Sequence, residues 1–121
     1  MRRLGIELTM RTAGSPAIAA LTAFTQSLGS VSVRDGVRVV AVSPGPVATE
    51  RLVTLMRKKA QDRTGNPENW RDLFKPLPFE RAATAEEIGA AIAFLASEYS
   101  GYTSGSVSVI DAGLSARAQS F

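Results

Sequence analysis

Residues 37–50 read VRVVAVSPGPVATE. The first six are almost continuously apolar, as is typical of a parallel strand that is covered on both faces. Ser-Pro-Gly-Pro then turns the chain, and Thr49 followed by Glu50 can open a helix. A strand that stops at a Pro/Gly turn just before a helix builds a ligand site at its carboxyl end, where open α/β sheets bind cofactors.

The sequence before this stretch predicts a helix and a turn. Ser15-Pro16 is a good helix start, with serine as the N-cap and proline at the first helical position. Apolar residues recur at helical spacing from Ile18 to Leu28, and Gly29 can end the helix. Asp35-Gly36 then turns the chain into the strand at 37–42.

The sequence after this stretch predicts two more helices and a final strand. Thr49 can cap a helix that carries Leu52, Leu55 and Met56 on one side. A looser, proline-containing region follows from Thr64 to Pro78. Thr84-Ala85-Glu86-Glu87 is a capping box, which opens a helix with an apolar stripe at Ile88, Ala91, Ile92 and Leu95. Alternating residues from Ser106 to Ile110 predict the last strand.

This alternation of helix and strand predicts a parallel sheet with helical crossovers. Two strands are clear, and Ile6–Met10 alternates and is a candidate third. A two-stranded parallel sheet exposes apolar faces that should be buried and has no independent stability. The chain is therefore interpreted as part of a larger sheet.

Composition excludes several classes of function. The 121 residues hold no cysteine and no histidine, which excludes disulfides, thiol nucleophiles and His-centred triads, and no metal site is predicted. The net charge of +3 comes mostly from scattered arginines, and Arg57-Lys58-Lys59 favours a solvated helix face over a nucleic-acid site. No apolar stretch is long enough to span a membrane, and the start of the chain lacks the clean apolar run of a signal peptide.

Four segments together resemble the carboxyl-terminal half of short-chain dehydrogenases/reductases. They are AALTAFTQSLG (19–29), GVRVVAVSPGPVATERL (36–52), FERAATAEEIGAAIAFLAS (79–97) and SGYTSGSVSVIDAG (100–113), in which Ala112 replaces a glycine of the family's Asp-Gly-Gly ending. The resemblance implies an α/β fold, a partial Rossmann-like, doubly wound parallel sheet with two or three strands and flanking helices. It also implies a single partial domain over 1–121, with a poorly defined segment 1–14, an SDR-like part 15–113 and a tail 114–121.

The resemblance implies NAD or NADP as the cofactor and places four of its binding residues. Pro44 stiffens the loop, and Gly45 permits close backbone approach to a ring. The backbone near Val47 would hydrogen-bond the nicotinamide carboxamide, and the Thr49 hydroxyl would assist. Thr49 as N-cap also puts a helix N-terminus near the cofactor's phosphates.

The catalytic residues of the family are missing. Its tyrosine and the lysine four residues later align with Gly14 and Ile18, and neither can move a proton. A shifted motif is excluded because both tyrosines follow all three lysines in the sequence. No Gly-rich turn between a strand and a helix is present to hold a pyrophosphate. No catalytic residue is therefore assigned, and it stays open whether the chain is an enzyme.

Residues 50–80 correspond to the region of the family that covers the substrate. Trp70, Leu73 and Phe74 could line a pocket for an apolar substrate, or they could pin a loop to the core.

Two functional hypotheses follow. The first is a cytoplasmic, truncated or degenerate oxidoreductase chain that is inactive alone, from a family transferring hydride between a nicotinamide cofactor and an alcohol or carbonyl compound. The second is a non-catalytic interaction subunit that pairs with itself or with a full-length relative, without nucleic acid or membrane. A short natural protein, a fragment, and a chain started at an internal methionine are all compatible with the sequence.

Overall fold

The computed structural model describes residues 15–116, which form three α-helices and two β-strands in the order helix–strand–helix–helix–strand. The α-helices are α1 (Ser15–Ser32), α2 (Glu50–Thr64) and α3 (Ala85–Ala96), and the strands are β1 (Val40–Pro44) and β2 (Ser106–Ile110). Short 3-10 helices cover Val33–Asp35, Pro67–Phe74, Pro78–Glu80 and Glu98–Ser100. The predicted order is confirmed, and the candidate strand at Ile6–Met10 lies outside the described residues.

The two strands pair in parallel and form one sheet. The Gly105 N–H donates to the Val39 carbonyl over 2.7 Å, and the Gly45 N–H donates to the Ile110 carbonyl over 2.9 Å. The described residues divide into two compact units, 15–41 with Ser100–Ser108 and Val42–Tyr99 with 109–116. The predicted α/β class with a small parallel sheet is confirmed.

In the first unit, α1 continues through Gly29 to Ser32, so the prediction that Gly29 ends the helix is wrong. A Cβ at Gly29 would overlap the backbone N and Cα of Gly105 and lie 2.9 Å from the Val39 carbonyl oxygen. The Ser104 hydroxyl also donates to the Gly29 carbonyl over 2.8 Å. Glycine is needed here because the helix touches the backbone before β2, and its presence does not mark a helix end.

The turn at Asp35-Gly36 is confirmed, since Gly36 has a left-handed φ of 72° and its N–H donates to the Val33 carbonyl. The strand after it is shifted from the predicted 37–42 to Val40–Pro44. The reason is that the N–H of Val37 still bonds back to Ser32 over 3.1 Å. Arg38 meanwhile donates to the carbonyl and hydroxyl oxygens of Ser100.

In the second unit, the predicted caps of both helices are confirmed. The Thr49 hydroxyl accepts from the Leu52 N–H over 3.3 Å at the start of α2. At α3 the Thr84 hydroxyl accepts from the Glu87 N–H, and the Glu87 carboxylate accepts from the Thr84 N–H, which completes the capping box. The region predicted to be loose contains the 3-10 helix Pro67–Phe74, which packs against α2.

Few side chains are fully buried. Those with less than a tenth of their surface exposed are Thr25 and Ser100 in the first unit and Ala60, Phe74, Ala82 and Leu95 in the second. Half or more of the surface is exposed at Ile18, Leu21 and Phe24 of α1 and at Ile92 of α3. The chain therefore offers considerable apolar surface for further burial.

Candidate functional site

The loop after β1 is held against the end of β2. The Gly45 N–H bonds to the Ile110 carbonyl, and a Cβ at Gly45 would lie only 2.8 Å from the Cβ of Asp111. The sequence reasoning assigned the glycine to close approach of a ring. The structure supplies a second reason, because the end of β2 fills the space that a side chain would need.

Val47 joins this loop to the segment that leads into α3. It forms a parallel bridge with Ala83, in which the Pro46 carbonyl accepts from the Ala83 N–H and the Ala48 N–H donates to the Ala83 carbonyl. In this parallel bridge Ala83 makes both hydrogen bonds, and they go to the neighbours of Val47 rather than to Val47 itself. The Val47 N–H therefore lies outside this bridge, while its carbonyl accepts from the Thr49 N–H over 2.7 Å.

Thr49 lies at the N-terminus of α2 with its side chain exposed. Its hydroxyl oxygen is the N-cap acceptor, and the hydroxyl proton can still donate to another group. Glu50 in the first turn places a carboxylate at the same helix end. That negative charge offsets part of the attraction of the helix dipole for an anion.

A cleft of about 260 Å³ lies beside the loop, within the second unit. It is lined by Gly45, Pro46, Leu77, Pro78, Phe79, Arg81, Ala83, Glu87, Ile110, Asp111 and Ala112. Of the four residues predicted to bind the cofactor, Gly45 is in this lining. Pro44 ends β1 and is exposed. Val47 and Thr49 come later in the loop and are not in the lining.

The profile of the family described as Enoyl-(Acyl carrier protein) reductase matches residues 8–115, nearly the whole chain. The chain belongs to the short-chain dehydrogenase/reductase family. Oxidoreductase UcpA of Salmonella typhimurium is 36% identical over 96 residues, which are 78% of this chain and 35% of that protein. An uncharacterized oxidoreductase of Thermotoga maritima is 37% identical over 112 residues, 92% of this chain and 43% of that protein.

Solved structures agree with this assignment. L-Sorbose reductase from Gluconobacter frateurii, complexed with NADPH and L-sorbose, superposes with a TM-score of 0.76 at 25% identity. The match covers 86% of this chain and 40% of the reductase. This short-chain dehydrogenase/reductase chain thus spans well under half the length of the relatives that it matches.

The two positions predicted to align with the family's catalytic pair, Gly14 and Ile18, carry no proton-transfer group. Ile18 lies on α1 with half of its surface exposed, and Gly14 lies outside the described residues. Ala112, at the place of a family glycine, has a left-handed φ of 53°. The backbone at the end of β2 therefore adopts a conformation that favours glycine although alanine is present.

An ion pair that the sequence reasoning missed lies in the cleft wall. The Arg81 guanidinium donates two hydrogen bonds to the Glu87 carboxylate, over 2.8 and 2.7 Å. These bonds from Arg81, with the Thr84 N–H, lower the pKa of Glu87 from 4.5 to about 2. The capping-box pattern identifies Glu87 in the sequence as a helix cap. Its ion pair with Arg81 depends on the path of the chain between 81 and 84, which the pattern does not give.

Asp111 directly follows β2, and its carboxylate caps the turn after the strand. It accepts from the N–H groups of Gly113 and Ser115 over 2.8 and 2.7 Å. Hydrogen bonds from Ser115, and then from the backbone of the turn, lower the pKa of Asp111 below its ordinary value. The carboxylate is therefore charged and already engaged by the chain's own donors.

Phe79 and Glu80 form a strained pair at the cleft, with φ values of 56° and 53°. Left-handed backbone costs non-glycine residues on the order of 1–3 kcal/mol each, and such strain concentrates at functional sites. Phe79 lines the cleft while 80% of its surface stays exposed. No turn residue in the sequence signals this conformation.

The aromatic residues proposed as a substrate pocket lie elsewhere in the second unit. Phe74 is buried, and its ring meets the Trp70 ring edge-on at 5.7 Å between centroids. The Arg71 guanidinium lies 4.5 Å above the Trp70 ring. Trp70, Leu73 and Phe74 are all absent from the cleft lining, and the packing of their segment on α2 agrees with the loop-pinning alternative.

Residues 15–116 have features that bear on three functions: metal binding, membrane spanning and nucleic-acid binding. No group of three or more potential metal-ligating side chains occurs there. Within the same range, none of the helices combines the length and apolar character needed to cross a bilayer. The basic cluster Arg57-Lys58-Lys59 is exposed on α2, and Arg57 pairs with Glu68 over 3.7 Å.

Proposed function

We propose that this chain supplies the nicotinamide side of an NAD(P) cleft in a short-chain oxidoreductase fold, and that alone it transfers no hydride. The reaction of such a fold is hydride transfer between NAD or NADP and an alcohol or carbonyl compound. The single observation that carries the proposal is the position of the Val47 N–H. It lies outside the bridge to Ala83, at the carboxyl end of β1, where a carboxamide oxygen could accept from it.

The residues of the loop fit part of the cofactor. Gly45 and Pro46 present a rigid backbone edge to the cleft, and the Thr49 hydroxyl retains a proton for donation. The cleft of about 260 Å³ is below the usual range for a whole drug-sized ligand, ~300–1,000 Å³. A complete dinucleotide would therefore have to extend beyond this cleft. When bound, the cofactor would supply or accept the hydride.

Two features predict weak binding and no turnover by the chain alone. Glu50 at the N-terminus of α2 disfavours a phosphate there, and the sequence contains no Gly-rich turn to hold a pyrophosphate. No tyrosine precedes a lysine by four residues, so the family's proton donor is missing. Cytoplasmic location is part of the proposal and rests on the cysteine-free sequence.

The test is a titration of the ¹⁵N-labelled chain with NADH and with NADPH, followed by amide chemical shifts. We expect shifts at 45–49 and a dissociation constant of about 1 mM or weaker. Thr49→Ala removes one hydrogen bond and should weaken binding about fivefold. Thr84→Ala is the matched control, because it removes a threonine N-cap from α3 and leaves Thr49 in place.

Two results would contradict the proposal. One is robust cofactor-dependent reduction of a ketone by the pure chain. The other is equal binding by the Thr49→Ala and Thr84→Ala variants, which would show that the loop does not contact the nicotinamide. Thr49→Ser keeps the hydroxyl and should bind like the original chain.

The apolar face of α1 favours a second candidate, an interaction subunit that pairs with a second copy or with a longer relative. Ile18, Leu21, Phe24, Leu28 and Val31 are all exposed on this helix, Leu21 by 58%. Sedimentation equilibrium should detect a defined oligomer, which Leu21→Gln shifts toward monomer. Leu55→Gln on α2, at 55% exposure, is the matched control. A monomer at all concentrations would contradict this candidate.

A further inference from the structure

The wall of the cleft formed by 77–81 is held in one shape. The Leu77 N–H bonds to the carbonyl of buried Phe74 over 2.8 Å, and the Glu80 N–H bonds back to the Leu77 carbonyl over 3.0 Å. Beyond the left-handed pair, Arg81 is fixed by its two bonds to Glu87. The ring of Phe79 is therefore presented at the cleft by a backbone that is anchored on both sides.

The charged side chains in the described cleft wall already have hydrogen-bond partners within the chain. The Arg81 guanidinium is engaged by Glu87 and by the Ala82 carbonyl at 3.1 Å. The Asp111 carboxylate is engaged by the N–H groups of Gly113 and Ser115. A ligand with a carboxylate or phosphate would find no unpaired cation in this wall and would meet the Glu87 and Asp111 charges.

The rest of the wall is apolar. Leu77, Pro78, Phe79, Ala83 and Ile110 contribute hydrocarbon surface around the cleft. A site with paired charges and hydrocarbon walls favours a neutral, apolar group, since burial of apolar surface is the main source of affinity that it offers.

We propose that this cleft is a subsite for the uncharged hydrocarbon part of the carbonyl substrate, and that Phe79 is its specificity-determining residue. The proposal rests on the proposed function, because the neighbouring loop 44–49 would hold the nicotinamide. Phe79 supplies an aromatic wall for a hydrocarbon chain, and the Glu87 and Asp111 carboxylates disfavour a ligand with a carboxylate at each end. The hydrogen bonds at Leu77 and Arg81, on either side of the strained pair, hold that wall at the mouth of the cleft.

The test compares two eight-carbon probes on the full chain, followed by amide shifts of Gly45, Ala83 and Ala112. The first is 2-octanone, which is neutral, and the second is suberate, which carries a carboxylate at each end. We expect saturable binding of 2-octanone and none of suberate. Phe79→Ala should weaken 2-octanone binding at least about fivefold. Phe79→Leu, which keeps an apolar wall, should restore it to within about twofold.

Phe94→Ala is the matched control, because Phe94 is an exposed phenylalanine on α3 outside the cleft lining. Its variant should bind 2-octanone like the original chain. Phe79→Ala keeps an L-residue at the same φ, so the strain is unchanged and the fold should persist, as circular dichroism can check. Equal binding of 2-octanone by the Phe79→Ala and original chains, or binding of suberate as tight as that of 2-octanone, would overturn the subsite.

A separate NADPH titration of the same samples distinguishes the two proposals. If 2-octanone binding depends on Phe79 while NADPH causes no shifts at 45–49, the subsite stands and the cofactor proposal fails. If NADPH shifts 45–49 and 2-octanone binds independently of Phe79, only the subsite is overturned.

Discussion

Alanine substitution of two helical glycines should give opposite effects. Gly29 in α1 and Gly89 in α3 both lie inside helices, where alanine is favoured over glycine by about 1 kcal/mol. Nothing lies within 4 Å of a Cβ built at Gly89. Gly89→Ala should therefore raise the free energy of unfolding by about 1 kcal/mol.

At Gly29 the new methyl group would overlap the Gly105 backbone and lie 2.9 Å from the Val39 carbonyl oxygen. Ordinary contacts are ~3.5–4.0 Å, so helix and backbone would have to separate by about 1 Å. Such overpacking costs ~1–3 kcal/mol. The separation also weakens the bonds from Ser104 to Gly29 and from Gly105 to Val39, each worth about 1 kcal/mol.

After the gain in helix propensity is subtracted, Gly29→Ala should lower the free energy of unfolding by about 2–3 kcal/mol. Urea unfolding followed by circular dichroism at 222 nm measures this change. With a slope of about 1.5 kcal/mol per molar urea, the midpoint should fall by more than about 1 M. A Gly29→Ala variant as stable as the original chain, or changed like Gly89→Ala, would refute the close approach of α1 to Gly105.

Two further predictions concern the cleft. Ala112→Gly should raise the free energy of unfolding by ~0.5–1 kcal/mol, since it relieves left-handed strain of ~1–2 kcal/mol and costs part of that in unfolded-chain entropy. Thermal unfolding should then shift upward by roughly 2–6 °C, and an unchanged or lower midpoint would contradict it. The lowered pKa of Glu87 means that its carboxylate stabilises the fold above about pH 4.5, an effect lost as pH falls toward about 2. Glu87→Gln should therefore remove part of the loss of stability between pH 5 and pH 2, a range of about three units. Urea unfolding midpoints measured across that range test this. A variant whose midpoints change with pH like those of the original chain would contradict the Arg81–Glu87 pair.

Elements that depend on neighbouring residues could be predicted from the sequence. The caps at Thr49 and Thr84 and the bounds of β2 are all set by local patterns, and the structure has them where the patterns indicate. Gly29 was misread because its partner, Gly105, lies far away along the chain. A glycine for close packing and a glycine for a helix end are identical in a single sequence.

The candidate site was predictable in its loop and not in its opposite wall. Gly45, Val47 and Thr49 follow a strand that the sequence identifies, so their place at its carboxyl end could be inferred. Phe79 has no turn signature, and its left-handed backbone lies between the anchored residues Leu77 and Arg81. The role of Arg81 also depends on the path of the chain around the capping box.

The bridge between Val47 and Ala83 closes a long segment of the chain. About 35 residues lie between its two ends, and they include α2 and the 3-10 helix Pro67–Phe74. Lengthening such a closed segment by ten residues adds only about 0.2 kcal/mol of closure entropy. The closed segment can therefore change its length and sequence while the bridge keeps the register of the loop at 44–49.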